Sequence, residues 1–161
     1  MGNKNRYFQA VLQENDFSVD QQYSILKNAC HHSGAIVTFT GLVRDLAKSN
    51  SNVASIELSI YEAMTQKQLQ HIGNEVFTHF DIDGLDIIHR HGTLTPAEQI
   101  VYVGVASKPR SDAFSAAQMT MDYLKSKVAF WKKENYTDNS KSRWIEPNQN
   151  DHNALKQWSK K

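Results

Sequence analysis

The sequence predicts an α+β domain in which a mixed or antiparallel sheet packs against helices. Segments with the two-residue period of strands and segments with helical spacing follow one another in the order αββαββα. The chain has 161 residues and contains no internal repeat, low-complexity tract or domain linker. We therefore expect a single domain over residues 1–161.

The first half of the chain predicts a short helix, two strands and a longer amphipathic helix. A capping-box pattern at Ser18–Gln21 opens the first helix, and apolar residues at helical spacing follow Glu62. The strand segments are rich in β-branched residues or alternate between apolar and polar residues. The predicted elements are a helix from Ser18 to near Gly34, strands over 35–40 and 55–61, and a helix over 62–80. Residues 1–16 are predicted to be flexible and residues 45–53 to form a mobile loop.

The second half predicts two more strands and a second long helix. The strands are expected over 85–91 and 99–107, with a turn at 95–97. Ser111 is the predicted N-cap of a helix from Asp112 to about Val128. Its expected apolar stripe consists of Phe114, Ala117, Met121, Leu124 and Val128. From Glu134 the chain is expected to be irregular, with a short strand around 144–145.

Composition excludes several classes of protein. Hydrophobic residues make up 40% of the chain and charged residues 22%, which is ordinary globular usage and argues against a disordered, collagen-like or coiled-coil chain. No apolar run approaches the roughly 20 residues of a membrane span, and the N-terminal residues lack the apolar stretch of a signal peptide. A single cysteine, Cys30, cannot form an intrachain disulfide. We expect a cytoplasmic protein.

Positive charge is concentrated near the C-terminus. The formal net charge is +1, but residues 123–161 hold nine Lys or Arg against four Asp or Glu. Such a concentration attracts phosphates, nucleic acid or an acidic protein surface. A nucleic-acid binder is one hypothesis, although the sequence pI of 7.9 lies below the value of about 9 typical of such domains.

Four basic residues could form a site for a phosphate-bearing anion. Arg44 follows a predicted strand, Arg110 precedes a helix, and Lys125 and Lys132 lie in the basic quarter. Lys125 shares a largely apolar helix face with Met121, where poor hydration would suit it for acid–base chemistry; the alternative is that it extends to water. Two histidine pairs, His31–His32 and His89–His91, could approach a metal, but nothing supplies a complete ligand set, so no metal site is expected.

Five blocks of sequence occur in an order that resembles the large, catalytic subunit of molybdopterin synthase. The likeness extends from about Gly34 to Trp158. The blocks are Gly34–Asp45, Ile56–Met64, Ile88–Leu94, Met121–Glu134 and Arg143–Glu146.

This resemblance implies a molybdopterin synthase large-subunit-like fold of the α/β-hammerhead type and a sulfurtransferase activity in molybdenum cofactor biosynthesis. Sulfur would pass from the C-terminal thiocarboxylate of a small ubiquitin-like subunit to cyclic pyranopterin monophosphate, forming the dithiolene of molybdopterin. The large subunit would be a homodimer within a heterotetramer. No cofactor is implied, since the small subunit supplies the sulfur, and neither a nucleic acid nor a membrane is an expected partner.

The resemblance also assigns residues. It implies that Lys125 and Lys132 are catalytic, and that the substrate is bound by Phe39, Arg44, Arg110, Met121 and Glu134. Two positions depart from the family pattern: Pro109 stands where a histidine is usual, and Asn148 where an arginine is expected. An alternative is therefore a non-catalytic module of the same fold, which binds the small subunit but turns over poorly because of Pro109.

Overall fold

Two four-stranded sheets and four α-helices make up the part of the chain that the structure describes, residues 5–44, 53–137 and 141–159 of a computed structural model. The strands are β1 Tyr7–Gln13, β2 Ala35–Leu42, β3 Val53–Ser59, β4 Ile82–Arg90, β5 Gly92–Leu94, β6 Gln99–Ser107, β7 Trp131–Tyr136 and β8 Ser142–Ile145. The helices are α1 Val19–Ala29, α2 Glu62–His79, α3 Arg110–Lys127 and α4 Gln149–Ala154, and a 3₁₀ turn follows at Leu155–Gln157.

The first sheet has the strand order β1-β4-β6-β2 and carries helices on both faces. Its strand β1 runs parallel to β4, whereas the other neighbours are antiparallel. Alternate residues of β4 face opposite sides, because successive side chains of a strand do so. Leu85 and Ile87 pack in the main core with α2 and α3, whereas Ile88 lies in a cluster on the opposite face. On that face, Leu26 of α1 lies against Ala106 of β6.

The second sheet has the order β5-β3-β7-β8 and is antiparallel throughout. Ile56 and Leu58 of β3 form a small buried cluster with Val43 and Leu94. Ile100 and Phe130 pack against both this cluster and the main core. The two sheets therefore meet at these last two side chains, next to the segment that joins α3 to β7.

Most predicted elements are confirmed, and the α+β class holds. Ser18 caps α1 by accepting a hydrogen bond from the Gln21 amide, although the helix ends at Ala29 rather than near Gly34. The predicted strand over 99–107 coincides with β6, and the helix predicted over 62–80 is α2. The polar loop over 45–53 lies outside the described residues, apart from Val53, which begins β3.

Both ends of the chain differ from the prediction. Residues 1–16 were expected to be flexible, whereas Tyr7–Gln13 form β1 against β4, and the ring of Phe8 packs directly over Gly73 of α2. From Glu134 the chain was expected to be irregular apart from a short strand around 144–145; that strand is confirmed as β8, whereas β7 and α4 were not expected. None of the described helices is both long and apolar enough to cross a membrane.

Helix α3 differs from the prediction in its start and in its buried face. It begins at Arg110 with Pro109 as the N-cap, not at Asp112 with Ser111. Phe114, assigned to the apolar stripe, is 62% exposed. The buried face is instead built largely of small residues, which let the helix lie close to the first sheet. These are Ala113, Ala116, Ala117 and Thr120, together with Met119, Tyr123 and Leu124.

Candidate functional site

Lys125 lies in the last turn of α3, on the outer side of the helix. Met121, one turn earlier, is half-buried and packs against the main core, so the two residues share a flank as predicted. Lys125 itself is exposed, which agrees with the alternative that this lysine extends to water. The reason is that the apolar side of α3 faces the sheet and turns this flank outward. In a single chain the Lys125 ammonium is therefore accessible to a partner.

Lys132 and Glu134 lie on one face of β7, both half-buried. Lys132 pairs with Leu58 and Glu134 with Ile56, two residues of the second cluster. Paired residues of antiparallel strands project to the same side, so this lysine and glutamate flank the apolar cluster. Lys133 projects to the other face, where its Nζ lies 3.9 Å from Glu57.

A short connection, residues 128–130, joins α3 to β7 and so links the two lysines. Val128 is buried, and the Ala129 amide donates a hydrogen bond of 3.2 Å to Gln68 Oε1 of α2. Phe130 stacks on His89, with 3.9 Å between the ring centroids and 17° between the ring planes. The connection is thus held by side chains of α2 and β4.

His89 is buried and uncharged. Burial lowers the pKa of His89 to about 4, so the ring is neutral at neutral pH. Its Nδ1 lies 2.8 Å from the Arg90 carbonyl oxygen, an acceptor, which requires the hydrogen on Nδ1. From the sequence alone, His89 is a candidate only for metal binding. The aromatic residues between Lys125 and Lys132 were the only signal in the sequence that a second ring packs against this segment.

Phe39 lies in β2, which is an edge strand of the first sheet. Arg44 follows two residues after this strand ends. The C-terminal end of β2 pairs with the start of β6, where Leu42 lies opposite Gln99. Helix α3 starts three residues after β6 ends and packs back along β6 and β2. Arg44 and Lys125 therefore lie at the same end of this layer. Phe39, 42% exposed, shares the α3 face of β2 with Val37.

Arg110 does not join the other basic residues within one chain. It is the first residue of α3, and Lys125 follows 15 residues later in the same helix. At 1.5 Å per residue the two positions are about 22 Å apart along the axis. The prediction that two arginines and two lysines converge is therefore wrong for a single chain, since α3 separates Arg110 from the site.

The two residues that depart from the family pattern both act at helix starts. Pro109 caps α3, and its carbonyl oxygen accepts a hydrogen bond of 2.6 Å from Ser107 Oγ. Asn148 caps α4, with its Oδ1 accepting from the Asn150 amide at 3.0 Å. A cation missed by sequence reasoning is Arg143 of β8, which pairs with Glu134 across the sheet.

The remaining histidines and the cysteine do not converge. The rings of His31 and His32 lie 3.7 Å apart, beyond the end of α1. Cys30 is buried beside Leu26 under the first sheet. In the described ranges, no three His, Cys, Asp or Glu side chains are placed to hold a metal ion.

Comparison with known proteins gives consistent matches. The sequence model of a family described as MoaE protein matches residues 12–127. A molybdopterin synthase catalytic subunit from Mesorhizobium japonicum is 40% identical over 147 residues, which are 91% of this chain and 91% of that protein. The structure of a molybdopterin biosynthesis MoaE protein from Burkholderia ambifaria is 35% identical, with a TM-score of 0.79, over 97% of this chain and 99% of that one.

A more distant structure has the same fold. It is a complex of subunits 1 and 2 of molybdopterin-converting factor from Helicobacter pylori, matched with a TM-score of 0.68 and 18% identity over 86% of this chain and 90% of that one. At that identity the likeness concerns the fold alone. The family match and the relatives above, by contrast, extend over most of the sequence, including Lys125. On this evidence the chain belongs to the MoaE protein family.

Proposed function

We propose that this chain is the catalytic subunit of molybdopterin synthase. It transfers sulfur from the C-terminal thiocarboxylate of a small ubiquitin-like subunit to cyclic pyranopterin monophosphate and so forms the dithiolene of molybdopterin. The observation that carries the proposal is that Lys125 and Lys132 lie on either side of the connection 128–130, which side chains of α2 and β4 hold in place. Arg44 lies at the same end of the layer of β2, β6 and α3 as Lys125.

In this proposal Lys125 is the main acid–base group and also contacts the tail of the small subunit. Its exposure in one chain supports this role, because an incoming thiocarboxylate can reach the ammonium directly. Docking of the tail then removes water from the lysine, and a positioned ammonium can donate a proton as oxygen leaves the substrate. Lys132 acts mainly through its charge, beside the apolar cluster of the second sheet.

Arg44 is the proposed contact of the same chain for the cyclic phosphate, since guanidinium groups bind phosphate through paired hydrogen bonds. Phe39, on the face of β2 that α3 covers, and Met121, on α3, supply apolar surface. Glu134 lies on the same face of β7 as Lys132. No resident cofactor is required for these roles, because the small subunit supplies the sulfur.

A second copy of the chain supplies Arg110. Because α3 holds this arginine about 22 Å from Lys125, it can reach a site only across an interface between protomers. A symmetric homodimer satisfies this requirement twice. The small subunit then binds at each site and completes a heterotetramer, in line with the two-subunit complex solved for the structural neighbour from Helicobacter pylori.

The test is reconstitution of the reaction from the purified chain, a thiocarboxylated small subunit and cyclic pyranopterin monophosphate, with the dithiolene product as the readout. Lys125→Ala is expected to lower the rate at least about 100-fold, the usual contribution of a positioned acid–base group. Lys127→Ala is the matched control, because this lysine, two residues later, is bonded to Glu75 at 2.8 Å. It should keep the rate within about twofold of the unaltered chain, as expected of a surface ion pair.

Two results would contradict the proposal at different points. Full activity of a folded Lys125→Ala chain would remove the role of this lysine. Absence of product from the unaltered chain, despite a stable complex with the small subunit, would contradict the function itself.

A further inference from the structure

Phe130 occupies the junction between the two sheets. It packs against the main core, which belongs to the first sheet and its helices, and against the cluster of the second sheet. It also lies within the six residues that separate Lys125, on α3, from Lys132, on β7. Any shift of Phe130 therefore moves one lysine relative to the other.

His89 fixes Phe130 from the side of the first sheet. The two rings are nearly parallel and 3.9 Å apart, and the imidazole is oriented by its hydrogen bond of 2.8 Å to the Arg90 carbonyl. A neutral, flat ring locked at both its face and its edge is a rigid support. Leucine, which has no flat face, could fill much of the space but would not define the position of the phenyl ring.

Gln68 gives the connection a second point of attachment, through the Ala129 amide. This bond fixes the backbone but does not orient the Phe130 ring. The ring is held instead by the stack and by the two apolar clusters, and the stack is the part that has a defined direction.

We propose that His89 is a positioning residue: by stacking on Phe130 at the junction of the two sheets, it sets the relative placement of Lys125 and Lys132. This role rests on the proposed function, because it concerns the lysines assigned to sulfur transfer. His89 itself need not contact substrate. A displacement of about 1 Å in a reacting group can cost up to 100-fold in rate, so the support is of kinetic importance.

The experiment compares His89→Phe with His89→Leu in the reconstituted reaction. Phenylalanine keeps the flat face, so its kcat should stay within about threefold of the unaltered chain. Leucine loses the face, and its kcat should fall about 10- to 100-fold, with the KM for the thiocarboxylated subunit changed less than about threefold. His32→Leu, which removes one ring of a close but tilted pair of aromatic rings, is the control and should leave both constants unchanged.

A second pair of measurements separates positioning from other roles. Phe130→Leu should lower kcat by about the same factor as His89→Leu. The kcat of the double variant should lie within about twofold of that of either single variant, because both substitutions remove the same interaction. The pH dependence of kcat should keep its shape in His89→Phe, since the ring it replaces is neutral over the working range.

Three outcomes would overturn the proposal. One is unchanged kcat in a folded His89→Leu chain. Another is an equal loss in His89→Phe and His89→Leu accompanied by the disappearance of one limb of the pH profile, which would make His89 an acid–base group. The third is a double variant whose fold-loss in kcat equals the product of the two single fold-losses. An inactive unaltered chain would instead contradict the proposed function, so the two failures are distinguishable.

Discussion

At the scale of single residues, Asp86 is the side chain that its surroundings accommodate least well. It is fully buried on the α1 face of β4, and within the described part of the chain neither carboxylate oxygen has a hydrogen-bond partner. Burial raises the pKa of Asp86 to about 6. Burial, and then the neighbouring Asp86, also raise the pKa of Tyr7 and Tyr102, the two tyrosines that interact with this carboxylate.

This pKa predicts a pH-dependent stability. An unfolded aspartate titrates near 3.9, so the folded state binds the proton more tightly, and stability falls as the pH rises from about 4 through about 6. A difference of about two pKa units corresponds to about 3 kcal/mol above pH 6. Asp86→Asn should therefore raise the free energy of unfolding at pH 8 by up to this amount, and have much less effect at pH 4.5.

Urea denaturation at the two pH values measures the effect, with exposed Asp20→Asn on α1 as the control. If Asp86→Asn changes the free energy of unfolding by the same amount at both pH values, the Asp86 carboxylate is not the source of the pH dependence.

At the scale of elements, Asp122 attaches the C-terminal segment to α3. This buried carboxylate accepts hydrogen bonds from Gln118 Nε2 at 3.0 Å, Gln157 Nε2 at 2.9 Å and Trp158 Nε1 at 2.8 Å. The Trp158 ring also meets Phe80 edge-on, with 6.0 Å between centroids. The segment that follows β8 thus returns to the helix that carries Lys125.

Trp158→Phe should weaken this attachment selectively. The phenyl ring keeps the edge contact with Phe80 but loses the bond to Asp122, a hydrogen bond to a charged group, which costs about 1–2 kcal/mol at this partly exposed position. Chemical denaturation measures the loss, and faster amide exchange over 149–159 locates it. Trp144→Phe, on a tryptophan that is 59% exposed, should be neutral within about 0.5 kcal/mol. Equal effects of the two substitutions would contradict the attachment.

The elements also show what the sequence could and could not predict. Helix α2 and strand β6 were found nearly to the residue, because their apolar periodicity is strong over many positions. Strand β1 was missed, since its partner lies far along the chain and no local pattern reveals a parallel pairing. Strand β7 was also missed, because Lys132, Lys133 and Glu134 make it polar and it is stabilised as a strand by the partners it pairs with.

The candidate site was predictable residue by residue but not in its geometry. Sequence resemblance selected Lys125, Lys132 and Arg44; the structure places Arg44 and Lys125 at the same end of one layer and joins Lys125 to Lys132 by a short connection. The resemblance could not show that Arg110 lies at the far end of α3, since that placement depends on the length and direction of the helix. Nor could it reveal His89 as the ring beneath Phe130, because stacking between β4 and the α3–β7 connection is a tertiary contact.

At the scale of the whole molecule, the separation of Arg110 from Lys125 predicts complementation between protomers. In the proposed homodimer, Arg110→Ala and Lys125→Ala should each strongly impair activity. A heterodimer of the two variants, purified through two different tags, should regain about half of the unaltered activity, because one of its two sites contains both native residues. Product formation by the purified heterodimer measures this. A heterodimer no more active than the parental variants would place Arg110 and Lys125 in separate functions.

The parallel pairing of β1 with β4 also bears on how the chain acquires its fold. Tyr7 lies opposite Gly84, a separation of 77 residues, so β1 emerges from the ribosome long before its partner strand exists. Closing so long a loop costs entropy before any contact rewards it, which slows folding. Until β4 is synthesised, the apolar side chains Phe8, Ala10 and Leu12 are unburied. The N-terminal strand is therefore a part of the nascent chain that needs protection from aggregation during synthesis.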